Sequence, residues 1–408
     1  MGEEIHMIRI ADRKQCCGCS ACAAICPADA IKMKPDGMGF RYPVVDRDKC
    51  IECGRCEKVC AFNDHYDRSL HLEAPVTYAA RAEDPEELAR SQSGGVSYLL
   101  MKRVLQAGGI VYGAGFVDHF RVAHKRAEDL EQAREFRLSK YVQSDPGQTF
   151  RQTLADLKSG RNVLFTGTPC QTAGLHAFVG PKYRERLWLQ DIVCHGVPAP
   201  NVWRDYLSFR ERKAGRAATE LLFRDPACGW HTHRETVRFG KARVTSGDYS
   251  RLYHKALMSR PSCGVCPYAN LHRPSDLTCG DCWGIESVDK NFAGDGLAAS
   301  LILVNTRKGE NLFSQVLPEM QVLPVNIDRL LQLNLCRPTP PAAESEAFER
   351  EYLNGGFESI RKEFMVPTLK ERFAAWKWRV KRSEIGKRFL STLQGFPFRS
   401  LFLKKKRG

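Results

Sequence analysis

Cys16-Cys17-Gly18-Cys19-Ser20-Ala21-Cys22-Ala23-Ala24-Ile25-Cys26-Pro27 and Cys50-Ile51-Glu52-Cys53-Gly54-Arg55-Cys56-Glu57-Lys58-Val59-Cys60 carry one pattern, CxxCxxCxxxC, twice within the first sixty residues. Three thiolates two residues apart wrap one corner each of an iron–sulfur cubane on a tight loop, and the fourth comes from further along the chain. In two-cluster modules of this spacing the fourth cysteine serves the other cluster. The pattern therefore assigns Cys16, Cys19, Cys22 and Cys60 to one 4Fe-4S cluster, and Cys50, Cys53, Cys56 and Cys26 to a second. Cys17 is surplus to both sets.

Zinc knuckles and disulfides are the competing readings. Zinc favours paired CxxC over CxxCxxC triplets, and a disulfide framework implies export. The start, MGEEIHMIRIADRKQ, has no apolar stretch followed by a small-residue cleavage site, so seventeen cysteines are expected in a reducing cytoplasm as metal ligands. Exposed clusters of this type suggest an anaerobic setting.

The 408 residues leave room for one large or two ordinary domains behind the module, and 43% hydrophobic with 27% charged residues is a soluble, globular composition. Net charge is +15, but the segment from Lys370 onward holds 13 Lys or Arg against two Glu, leaving only +4 on the rest. The body is not a basic nucleic-acid binder. The tail FLSTLQGFPFRSLFLKKKRG mixes apolar and cationic residues, so it either lies on an anionic membrane face or extends as a solvated tail. Peripheral membrane association is thus one expectation.

The stretch AFNDHYDRSLHLEAP reads as a linker, with His65 and His71 solvated, and a second domain starts near Val76. From there VSYLLMKRVLQA, TFRQTLADLKSG and NVWRDYLSFRER read as helices alternating with strands IVYGAGF, NVLFTG and LWLQDIVCHG. LLFRD and ETVRFGKARVTS read as antiparallel strands, and RPTPPAAES as a loop or lid. The expected fold is an N-terminal two-cluster ferredoxin-like module followed by a mixed α/β domain. Its expected divisions are 1–65, 76–180, 181–335 and an extension 336–408.

Three loops place small residues immediately before a helix: Ser91-Gln92-Ser93-Gly94-Gly95, Thr166 to Gln171, and Cys194-His195-Gly196-Val197-Pro198. Amides at such a helix start suit a phosphate, although a plain tight turn is the commoner reading of such a loop. Cys263-x-x-Cys266 and Cys279-x-x-Cys282 have, by themselves, the spacing of a structural zinc site. His195, His231 and His233 stand beside these motifs as proton donors or as satisfied structural histidines, with His195 the weak candidate for a catalytic role. Asp276 and Asp281 cap a helix or contact a ribose.

SQSGGV, KYVQS, VLFTGTPCQTAGL, DIVCHGVPAPNVW, FRDPACGWH and RPSCGVCPYANLHRPSDLTCGDCWGIE, in that order, resemble the coenzyme F-420 (deazaflavin) hydrogenase/dehydrogenase beta-subunit family. The chain is similar to its ferredoxin-fused bacterial members, often found beside polysaccharide biosynthesis functions. The resemblance covers most of residues 76 to about 310. It implies FAD and a third 4Fe-4S cluster, carried over onto Cys170, Cys194, Cys263 and Cys266. Cys279 and Cys282 depart from the commoner apolar residues, leaving open whether they replace Cys170 and Cys194 or form a zinc site with Cys263 and Cys266. For FAD the resemblance implies Ser93, Gly94 and Gly95 at the diphosphate, and Lys140, Gln143 and Ser144 near the isoalloxazine or ribityl chain.

Clusters carry single electrons and most organic reductions need two, so a flavin is the usual converter. The expected protein is a cytoplasmic iron–sulfur flavoprotein oxidoreductase. Its expected partners are a reduced carrier such as ferredoxin and an unidentified small-molecule substrate, a deazaflavin-like coenzyme among the options. The rival is a non-catalytic electron-transfer subunit of a larger reductase.

Overall fold

The computed structural model of the chain describes residues 7–62, 71–293, 297–366 and 369. His65 and the basic amphipathic tail lie outside the described residues, so the membrane expectation is not addressed by the fold. Among the described residues no helix is long and apolar enough to cross a membrane. Residues 1–357 form one compact unit and residues 358–408 a second; the helix Ser345–Phe364 contains their boundary.

The N-terminal module pairs strands β1 (Ile31–Pro35) and β2 (Arg41–Val45) in an antiparallel hairpin, closed by Asp36, which accepts from the amides of Met38 and Phe40. Each cysteine loop runs into a short helix, Ala21–Ile25 or Arg55–Lys58. Both loops contain two residues in the left-handed region at matching positions: Gly18 (φ 71°) and Ser20 (68°) in the first, Glu52 (51°) and Gly54 (67°) in the second. Left-handed residues reverse the local direction of the amides, which lets a short loop curl around one centre.

The body holds eleven further strands among the described residues. These are β3 (His71–Ala82), β4 (Ile110–Val117), β5 (Arg121–Ala127), β6 (Val163–Gly167), β7 (Leu187–Ile192) and β8 (Glu220–Leu222), then β9 (Glu235–Phe239), β10 (Ala242–Ser246), β11 (Leu277–Asp281), β12 (Ser300–Thr306) and β13 (Met320–Pro324). Eight of them form one mixed sheet in the order β13-β3-β12-β11-β7-β6-β4-β5. The central four, β11-β7-β6-β4, are parallel, and antiparallel strands close both edges. Parallel pairing needs crossovers, supplied by the helices Thr149–Lys158, Pro169–Val179 and Pro200–Ala214. β8, β9 and β10 make a separate antiparallel sheet.

The expected helices and strands stand where the residue pattern put them, with two differences. His71 and the residues after it belong to a strand rather than a linker, because β3 pairs with β12 from His71 onward and with β13 from Tyr78 to Ala82. The division expected at 180/181 passes through the eight-stranded sheet, since β6 and β7 on either side of it are paired neighbours. The buried strands Val163–Gly167 and Ser300–Thr306 are near-continuous apolar runs, as two-sided burial requires.

Candidate electron-transfer chain and cofactor cavity

Cys16 and Cys60 lie near Cys22 in the module. Cys22 is surrounded by the charges of Cys16 and Cys60, and its thiol is pushed up to about 12 by burial first and by those neighbours next. The second set, Cys26, Cys50, Cys53 and Cys56, lines one small cavity with Met7, Ile31 and Val45. Two backbone amides already point at sulfur, Ile8 N to Cys56 Sγ (3.2 Å) and Ala30 N to Cys26 Sγ (3.3 Å). Such bonds favour the thiolate and tune a cluster's potential. Cys53 is the exposed member of this set.

The module seats on the helix Pro169–Val179. Nine of its eleven residues are buried, since one face meets the sheet and the other meets the module. A Cβ at Gly174 would lie 2.8 Å from Cys19 Sγ, so only glycine lets the two approach. Arg151 reaches the carbonyls of Ala23, Ala24 and Cys26, Asn201 pairs with Met38 O and Gly37 O, and Tyr268 Oη donates to Ala61 O.

At this seam the chain assembles a third set of cysteines. Cys170 opens the helix Pro169–Val179, Cys194 follows β7, and Cys263 and Cys266 lie in the 3-10 turn Pro261–Val265 and just after it. The turn is tied to the Cys194 loop by Arg260 N to Val197 O (3.0 Å) and by the bridge Pro198–Ser259. Cys194, half-buried, feels the charges of Cys263, Cys170 and Cys266. Burial and then Cys170 push Cys266 up to about 11. Cys279 and Cys282 are elsewhere. Cys279 lies in β11 with Asp191 as its charged neighbour, and Cys282 is fully buried beside Ile285 and Leu301. The local set Cys263, Cys266, Cys279 and Cys282 is thus not brought together. Among the described residues no three His, Cys, Asp or Glu gather as they would around one metal ion. A tetrahedral zinc with bonds of about 2.3 Å holds its sulfurs only about 3.8 Å apart, closer than the corners of a cubane. The donor set of four cysteines, without histidine or carboxylate, suits a 4Fe-4S cluster.

Beyond Cys194 opens a cavity of about 430 Å³ at the carboxyl ends of β4, β6, β7 and β11, where open parallel sheets bind ligands. Ser93, Gly95, Lys140, Ser144, Cys194 and His195 line it. Gly94 and Gln143 do not. A Cβ on Gly94 would meet Ala80 O at 2.1 Å, and its amide is taken by Ser300 Oγ (2.9 Å), so its smallness serves strand packing. Ser93 Oγ is likewise spent on Ala299 O (2.7 Å). Gln143 faces the module, donating to Cys17 O at 2.9 Å. Lys140 lines the cavity, yet its ammonium donates to the carbonyls of Glu135, Arg137 and Leu138 (2.5, 2.7 and 3.3 Å). Burial brings it down to about 7. It holds the loop 135–140 shut from inside rather than offering a free cation.

His124 is a residue the motifs did not reveal. Burial holds it down to about 4, so it is neutral at pH 7. Its Nε2 meets Thr166 O (2.9 Å) and must carry the proton; Nδ1 therefore accepts from Ser144 Oγ (2.8 Å). Ser144 then turns its lone pairs to the cavity as an acceptor. Gln190 also lines the cavity, and its Oε1 is buried without a hydrogen-bond partner among the described residues. Two acceptors on residues of one cleft suit a planar ring with N–H at its edge, and the amides of the first turn after Gly95 (φ 81°) suit a phosphate.

Three histidines stand at the cavity's other side. His195 is lowered by burial, and His233 and His254, with rings 4.4 Å apart, are held down to about 4, chiefly by burial and then by neighbouring positive groups. His254 had no motif to mark it. His231 is instead exposed and paired with Glu286 at 3.2 Å. Trp283 faces the cavity and stacks on Trp230 (4.9 Å, 17°). Asp281 binds Arg224 (2.6 Å) and Trp230 Nε1 (2.7 Å), while Asp276 accepts from Leu189 N (2.9 Å) and Thr306 Oγ1 (2.7 Å). Both carboxylates are thereby structural.

Residues 160–328 match the family model for the carboxyl-terminal part of the coenzyme F420 hydrogenase/dehydrogenase beta subunit, and residues 15–63 the model for a 4Fe-4S dicluster domain. Among solved structures, a chain of the F420-reducing [NiFe] hydrogenase complex from Methanosarcina barkeri, studied by xenon derivatization, is similar at 16% identity and a TM-score of 0.44. The match covers 71% of this chain and 90% of that one. No curated protein matches.

Proposed function

We propose that this chain, a ferredoxin-fused member of the coenzyme F420 hydrogenase/dehydrogenase beta-subunit family, is an iron–sulfur flavoprotein oxidoreductase. An electron-transfer role follows from the family and the dicluster module; the third cluster, FAD and an organic substrate are the further content of the proposal. The observation that carries it is the placement of Cys170, Cys194, Cys263 and Cys266 between the module and a cavity that Cys194 itself lines.

Electrons enter at the module from a reduced low-potential carrier such as ferredoxin. Clusters held by the Cys50, Cys16 and Cys170 sets would carry them one at a time toward the cavity. A flavin held in the cavity would convert them to a hydride pair. Ser144 and Gln190 would accept from its ring edge, and the helix start after Gly95 would hold its phosphates. His195, His233 and His254, neutral at pH 7, stand where a proton could be exchanged with a small organic substrate stacked toward Trp283.

Anaerobic purification with iron and flavin quantification tests this. The expected yield is about twelve irons per chain, for three four-iron clusters, and one FAD. About eight irons without flavin would instead mark a non-catalytic electron-transfer subunit.

A further inference from the structure

The three largest fully buried side chains are arginines, Arg224, Arg260 and Arg273. A buried guanidinium needs an anion, because desolvating an unpaired charge costs several kcal/mol at least. Arg224 has Asp281 at 2.6 Å and Arg273 has Asp191 at 3.0 Å. Arg260, 1% exposed, has no carboxylate among the described residues. Its donors go to neutral oxygens: Nε to Cys16 O (2.7 Å), Nη1 to Gln143 Oε1 (3.0 Å) and Nη2 to Arg41 O (2.9 Å). Tyr42 and Phe40 cover its plane at 4.3 and 5.4 Å. A Cβ on Gly18 would meet Nη1 at 2.8 Å, so the Cys16–Cys19 loop lies directly on the guanidinium.

What surrounds Arg260 is cysteine. Its backbone carbonyl accepts from Cys263 N (2.9 Å). It bonds the loop of one cluster set and begins the turn that carries half of another. A cluster held by four thiolates is a net anion and gains one further negative charge when it takes an electron.

We propose that Arg260 is the shared counter-charge of the clusters on the Cys16 and Cys170 sets, favouring their reduced forms over that of the outer Cys50 set and so drawing electrons inward. The role of the Cys170 set rests on the function proposed above. The step is outer-sphere: one electron leaves the outer cluster, which is oxidised, and the inner one is reduced, with no bond or proton changing hands. Arg260 acts as a positioning residue, through charge alone.

The test is a redox titration of anaerobically purified full chain, with dithionite and mediators, followed by electron paramagnetic resonance. Signals are assigned by their loss in Cys22→Ser, Cys53→Ser and Cys194→Ser. At the wild-type midpoint of the inner clusters, Arg260→Met should lower the reduced-to-oxidised ratio at least tenfold, or about 59 mV for one electron. The outer cluster should change less than about twofold, and Arg260→Lys should keep the inner ratio within about threefold. Unchanged inner potentials in Arg260→Met, or an equal shift of all clusters, overturn the proposal. Should Arg260→Met and Arg260→Gln lose iron, retention of iron by Arg260→Lys supports a requirement for charge; loss in all three shows a requirement for shape and overturns it. If the wild type holds only eight irons, the function above fails, and the inner cluster of the module alone still decides the role of Arg260.

Discussion

At Cys194 a single thiol belongs both to a group of four cysteines and to the wall of the cavity, so its removal should have a defined signature. Cys194→Ser is expected to lower bound iron by about four per chain while the module keeps its eight. Cys282→Ser, buried beside Ile285 away from the group, should leave iron unchanged, and equal losses would exclude the assignment. His124 makes a second residue-scale prediction, through pH. Its folded value near 4 is below the unfolded 6.5, so the unfolded chain binds more protons between these values. Stability from this group is therefore complete above pH 6.5 and declines as pH falls toward 4, by up to about 3 kcal/mol. The stability gap between wild type and His124→Gln, measured by denaturant unfolding, should shrink by that order between pH 7 and pH 4. Comparing the pair cancels acid effects on the clusters common to both, and a pH-independent gap would contradict the neutral, buried histidine.

The cysteine loops, as elements, depend on their left-handed residues. Gly54 at φ 67° takes this conformation freely, whereas a side chain there costs about 1–2 kcal/mol. Gly54→Ala should speed iron release from the Cys50 set to a chelator by roughly tenfold, leaving the Cys16 set untouched. Glu52, left-handed with a side chain, is the converse: Glu52→Gly should not speed release at all. Much of this element logic was legible in the sequence. Cysteine spacing is a local signal, as are the alternating helices and strands between Val96 and Ala214. What was not legible is long-range pairing. Nothing local marks His71 as the start of a strand, because β3 is defined by its partners β12 and β13. Gly94 read as a phosphate loop, yet its missing side chain admits Ala80 O. Gln143 read as a cofactor contact and instead faces Cys17 O, a docking that involves residues 126 positions apart. His124 and His254 sit in no motif, and only the folded sheet brings them to the cavity.

For the molecule as a whole, the route proposed above has an outer cysteine set at the surface and an inner one at the cavity. Cys53 is the exposed cysteine of the Cys50 set, Cys19 of the Cys16 set is buried against the helix Pro169–Val179, and Cys194 of the Cys170 set lines the cavity. Electron transfer weakens with distance, so a protein donor too large to enter the cavity should deliver electrons only at the outer set. Cys53→Ser separates this geometry from its alternatives, because it removes a ligand at the surface and leaves the seam between module and body intact. The variant is expected to retain about eight irons and its flavin. Bleaching of the flavin by reduced ferredoxin, followed by stopped-flow absorbance, should slow at least tenfold. Bleaching by a small chemical reductant that reaches the cavity directly should stay within about twofold of wild type, since the path it uses does not include the outer set. Wild-type speed with ferredoxin would place the entry point elsewhere, at the Cys16 set or at the cavity mouth, and the outer set would then be a scaffold rather than a route.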